Sequence, residues 1–157
     1  MEREQNPVVH RTKPRRTAQV RFPDGRTFEA PVGTPMEEYI QAAFPDSPVL
    51  VIAALVNGDL RELTYPLQSD ARVEPVFLSD SDGVRIYRRS LAFLLVTAVR
   101  ELFPEAQIFV DHTLPFGGFF CQVLGREPFS EEELAQIEAR VRDIVAEDTP
   151  ITREPVP

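Results

Sequence analysis

The chain has little of what builds an easily read catalytic or metal site. Its one cysteine, Cys121, excludes an internal disulfide and fits a reducing compartment. Two histidines beside it leave too few soft ligands for a structural zinc site. Long apolar runs are missing: Leu91 to Val99 is interrupted by Thr97 and falls far short of the ~20 residues a membrane crossing needs. The first sixteen residues are polar and basic where a secretory signal has its apolar core, so no signal is expected. No P-loop occurs, since Gly117-Gly118 is the only glycine pair and no Gly-Lys-Ser/Thr follows it. Rossmann glycine spacing is absent too, so the chain by itself has no recognisable nucleotide site.

What is there is globular in proportion. Of 157 residues, 43% are hydrophobic and 27% charged, which suits one ordinary domain or two small ones and a cytoplasmic protein without a membrane partner. The net charge of -8 is unevenly spread. Residues 1–16 hold Arg3, Arg11, Lys13, Arg15 and Arg16 against Glu2 and Glu4, a balance of +3, and the rest carries -11. The basic start is expected to be a flexible, solvated tail. A body so acidic repels a phosphate backbone unless its cations are gathered on one face.

Order is expected from Thr17. Ala18 to Phe22 alternates with period two, Pro23-Asp24-Gly25-Arg26 supplies a turn, and Thr27 to Ala30 continues as a second strand. Thr34 as N-cap, Pro35 at N1 and Glu37 at N3 form a capping box for a helix that turns Met36, Tyr39, Ile40 and Ala43 inward and ends before Pro45. Val49 to Val56 reads as a buried strand ending at Asn57-Gly58, followed by a short strand at Leu60 to Leu63. Arg72 to Leu78 reads as a last strand, placed at a sheet edge by Pro75.

Ser79 to Gly83 is a polar break and the expected domain boundary. From Val84 to Phe103 a helix carries Leu91, Leu94, Leu95, Ala98 and Leu102 as a stripe that Phe93, Val96 and Val99 widen, which predicts burial on most of its circumference. Two strands, Gln107 to Thr113 and Phe119 to Leu124, join through Pro115-Phe116-Gly117-Gly118. Ser130 and Glu133 box a second helix with Leu134, Ile137, Val141, Ile144 and Val145 inward and a Glu138–Arg142 pair outside. Pro150 ends it, leaving a short extended tail.

Candidate chemistry is sparse. A Cys121–His112 nucleophilic pair needs an orienting third group and an oxyanion hole, and neither is legible. Cys121 reads instead as a small buried residue, and His112 as a structural histidine or part of a pocket floor. Arg85, Arg88 and Arg89 cluster at a helix start, where they make either an anion-binding corner or a solvated face balanced by Asp80 and Asp82. Phe116, Phe119 and Phe120 line an aromatic pocket or simply pack the core.

Val20-Arg21-Phe22-Pro23-Asp24-Gly25-Arg26 with Pro31-Val32-Gly33-Thr34 resembles a TGS domain, the ubiquitin-like β-grasp module of threonyl-tRNA synthetases, stringent-response synthetases and certain GTPases. Ile86 to Leu95, Glu101-Leu102-Phe103-Pro104 and Phe116 to Phe120 resemble the start of the editing domain that follows TGS in threonyl-tRNA synthetases. That domain carries His-x-x-x-His where Arg89 and Phe93 stand here, and its Cys-x-x-x-His motif would fall beyond Pro157. Tyr87-Arg88-Arg89-Ser90 with Asp111-His112-Thr113 looks closer to bacterial nucleoside kinases similar to uridine kinase, which carry such regions ahead of a P-loop domain.

These resemblances imply an α+β protein: a flexible tail at 1–16, a TGS-like β-grasp domain at 17–79, and an editing-like domain at 80–157, expected to be cut short at Pro157. They imply a non-catalytic accessory region of an ATP-dependent nucleoside kinase. ATP and magnesium are expected only in the downstream domain, with no cofactor here. The expected ligand is a nucleotide or other small anion held by Arg85, Arg88 and Arg89, with His112 and Cys121 opposite. The rival readings are a tRNA-binding module of the synthetase type, which the acidic body disfavours, and a homo-oligomer pairing through sheet edges.

Overall fold

The structure, a computed structural model, describes residues 11–114, 117–148 and 151. Residues 1–10 of the basic tail, Pro115 and Phe116, the Pro150 helix stop and the tail from 152 onward lie outside the described residues. The chain is α+β and divides into two compact units, Met1–Val84 and Arg85–Pro157.

The first unit is one mixed sheet with a helix across it. Strands β1 (Thr17–Arg21) and β2 (Thr27–Pro31) form the hairpin the alternation predicts, with Gly25 at φ +88 in the turn. Helix α1 (Met36–Ala43) follows, then β3 (Val51–Val56), β4 (Asp59–Arg61) and β5 (Ala71–Phe77), and the strand order is β2-β1-β5-β3-β4. Both Asn57 and Gly58 take positive φ, the requirement of a tight turn between β3 and β4. Ala18, Val20, Ala54, Val56 and Val73 from the sheet pack on Met36, Tyr39, Ile40 and Ala43 of α1, the inward set that helical spacing picks out.

Two expectations fail here for physical reasons. Strand β5 lies in the middle of the sheet, not at its edge. It pairs with β1 only at Ala71 and Arg72, so at Pro75 that side has no strand neighbour and a missing N–H costs little. The capping box at Thr34 does not form either: Pro35 is the N-cap, without a side-chain hydrogen bond. The N–H groups of Met36 and Glu37 donate instead to the carbonyls of Tyr65 and Leu63 at 2.9 and 2.8 Å, so a distant loop caps the helix.

Helix α2 (Ser81–Leu102) begins inside the polar break, where Asp80 Oδ2 accepts from the Phe77 N–H at 2.8 Å and its carbonyl from the Val84 N–H. The second unit continues through strands β6 (Gln107–Thr113) and β7 (Phe119–Leu124), an antiparallel pair, and helix α3 (Glu131–Ala146). The Ser130–Glu133 capping box and the Glu138–Arg142 pair, at 2.6 Å, both form. The core is small: Ala98, Val99, Ala106 and Ile137, with Leu95, Phe103, Ile108, Val123, Val141 and Ile144 against it. Leu91, Phe93, Val96 and Leu102 of α2 and Leu134 and Val145 of α3 are exposed, against the expectation of near-complete burial. A two-stranded sheet has too little area to cover them. Among the described residues no helix is long and apolar enough to cross a membrane.

Candidate functional site

Arg85, Arg88 and Arg89 stand on α2 at i, i+3 and i+4 and so share one face of the helix. Arg85 and Arg89 are exposed, while Arg88 is half-buried because its guanidinium lies along the turn between β6 and β7. A Cβ at Gly117 would sit 3.0 Å from an Arg88 nitrogen, and Gly117 holds φ +88, so glycine there serves both the turn and the passage of the arginine. One turn on, Arg89 and Phe93 line a small depression of about 220 Å³ with Ser90 and Ile151. The two positions that would carry histidines in an editing domain therefore share a concave surface, but they present a guanidinium and a phenyl ring, neither of which ligates a metal or shuttles a proton at neutral pH.

His112 and Cys121 do not meet. His112 pairs with Phe120, stacking on its ring at 5.2 Å, and Val110 pairs with Cys121 across a register shift at Asp111. Neighbours on a strand face opposite ways, so His112 is on the outer face of the pair and Cys121 on the face shared with Val123. Asp111 Oδ2 lies 3.2 Å from His112 Nδ1, both side chains well exposed. Burial pushes the Cys121 thiol up, away from a reactive thiolate. The Cys-His pair weighed above and set aside in favour of a buried thiol and a structural histidine does not form, because register places the two side chains on opposite faces. Among the described residues no group of three His, Cys, Asp or Glu side chains is placed to hold a metal ion.

One ion-pair cluster of the second unit was not legible in sequence. Arg126 lies between the rings of Phe103 and Phe129, at 5.1 and 4.7 Å, and one of its terminal nitrogens donates to both carboxylate oxygens of Glu133 at 2.6 and 2.8 Å. Hydrogen bonding from Arg126, then from the Ser130 N–H, holds the Glu133 carboxyl below its ordinary 4.5. A carboxylate lowered by folding contributes stability that is complete above the ordinary value and disappears as pH falls through the lowered one. The thermal midpoint is therefore expected to drop as pH falls below about 5, and Glu133→Gln to shrink the drop, measured by circular dichroism.

No protein-family model matches the chain. It is similar over most of its length to curated threonine–tRNA ligases. That of Rhodopseudomonas palustris is 32% identical over 135 residues, covering 86% of this chain and 20% of the ligase. Those of Janthinobacterium sp. and Methylococcus capsulatus are each 34% identical, covering 88% of this chain and 22% of theirs. The chain thus spans about a fifth of the length of the relatives it matches. These relatives overturn the nucleoside-kinase expectation, because the likeness runs to ligases along both units.

Proposed function

We propose that this chain is a tRNA-contacting region of the threonyl-tRNA synthetase type, corresponding to the N-terminal part of those enzymes and without hydrolytic activity of its own. Its fold reading is a β-grasp unit over residues 17–79 followed by an editing-like α+β unit over 80–157. What carries the reading is identity of 32 to 34% over at least 86% of this chain to ligases whose substrate is tRNA. Arginine and phenylalanine where hydrolysis would call for histidines support binding over cleavage.

Arg85, Arg88 and Arg89 are the phosphate contacts in this reading. They gather positive charge on one helix face of a chain that is otherwise acidic, which is the arrangement a protein of net charge -8 requires to approach RNA. Replacing all three with glutamine is expected to weaken tRNA binding at least tenfold and to lower the slope of log affinity against log salt by roughly 2 to 3. Filter retention across a salt series measures both. A triple variant that keeps its helix content and binds like the parent would remove these residues from the interface.

A further inference from the structure

The first unit holds a second concentration of positive charge, on the face of its sheet away from α1. Strands β1 and β5 run parallel, and their pairing sets Arg21 directly beside Arg72. Residues in register on neighbouring strands point to the same side, about 4.8 Å apart, so the two guanidiniums rise together from one face. Like charges so placed are destabilising unless something lies between them. Among the described residues the Arg21 side chain has no hydrogen bond or ion pair, and the Arg72 side chain reaches only Glu74, at 3.8 Å.

The neighbouring acids are committed elsewhere. Asp70 takes both oxygens to Arg15, at 2.7 and 3.0 Å, and accepts the Gln19 N–H as well. Asp24 is held by Arg26 at 2.8 Å. Around the arginine pair lies an open depression of about 800 Å³, lined also by Gln19, Thr27 and Asn57 and, on its wall, by Asp70 in its pair with Arg15. Asn57 Oδ1 accepts the Arg72 N–H at 2.9 Å, which fixes the side chain and leaves its NH2 without an acceptor among the described residues. Two forked cations, a fixed amide donor and a hydroxyl therefore converge on one concavity.

We propose that this depression binds a phosphoryl group, as a diphosphate or a terminal phosphate, held between Arg21 and Arg72. Guanidinium forks match phosphate oxygens bidentately, and an anion seated between the two turns their repulsion into attraction. The site belongs to the first unit alone and stands whether or not the chain contacts tRNA.

Inorganic pyrophosphate is the probe, titrated into the full chain in low-salt chloride buffer and followed by thermal midpoint and by amide shifts at Arg21, Asn57 and Arg72. The parent is expected to gain stability and to shift at those amides. Arg21→Gln with Arg72→Gln is expected to bind at least tenfold more weakly, while Arg100→Gln, an exposed arginine elsewhere, binds as the parent does. Arg21→Glu relieves the repulsion, so it should melt higher than the parent without anion and ignore pyrophosphate. Displacement of pyrophosphate by ADP supports the site with a small nucleotide as carrier. Displacement only by a 5′-phosphorylated RNA strand, not its 5′-hydroxyl counterpart, supports it with nucleic acid as carrier. A parent that does not respond, or a double variant that responds equally, overturns the proposal.

Discussion

Truncating Phe22 to alanine is expected to cost about 3–5 kcal/mol, the largest loss from any single substitution considered for this chain. Phe22 is 1% exposed and follows β1, at the point where the hairpin turns. Its ring meets Phe28 edge-on at 5.7 Å and Phe44 at 5.4 Å, and Phe44 meets Phe77 at 6.0 Å. Four phenyl rings thus join β2, the end of α1 and β5, with the Arg26 guanidinium closing over Phe44 at 5.0 Å. Alanine leaves a cavity that β2 and the end of α1 would have to shift to fill. Against a total of roughly 4–12 kcal/mol for a unit of this size, much of the fold's margin disappears. Urea unfolding followed by circular dichroism checks this. Phe22→Leu, which keeps most of the volume, should lose well under half as much.

Gly83→Ala is expected to destabilise by about 2 kcal/mol or more, although the same change inside an exposed helix gains roughly 1 kcal/mol. Gly83 is buried in the first turn of α2, where the helix starts directly after β5. A Cβ there would stand 1.9 Å from the Phe77 carbonyl oxygen and 2.8 Å from its carbon. Both are backbone atoms, held by the hydrogen bond from the Phe77 N–H to Asp80, so no side-chain rotation gives relief. Either the first turn of α2 unwinds or the end of β5 moves. Helix content and the thermal midpoint of the variant distinguish this from the ordinary gain: a midpoint equal to or above the parent's would mean that the approach is not so close.

The sequence made the hairpin legible because period-two alternation and a Pro-Asp-Gly turn are local signals, as are the Ser130–Glu133 box and the inward face of α1. What escaped was set by distant partners. The first turn of α1 is capped by carbonyls of the 62–67 segment, so Thr34 is not needed. Pro75 is tolerated in a central strand because β1 stops opposite Arg72. The stripe on α2 is as apolar as read, but only Ala98 and Val99 are buried, since burial depends on what a small unit can supply and not on periodicity.

The candidate site divides along the same line. Helical spacing brings the three arginines to one face of α2. Strand register, which no local pattern fixes across the shift at Asp111, puts His112 and Cys121 on opposite faces. The Arg21–Arg72 pair was invisible because it exists only through parallel pairing of two strands separated by β2, α1, β3 and β4.

The most direct test of the account is the affinity of the unmodified chain for tRNA as a function of salt. With three arginines on phosphates, log affinity should fall linearly with log salt at a slope of about -2 to -3. Double-stranded DNA of similar length should bind more weakly at every point. Absence of retention at low salt, or retention that salt leaves unchanged, would contradict a tRNA-contacting region.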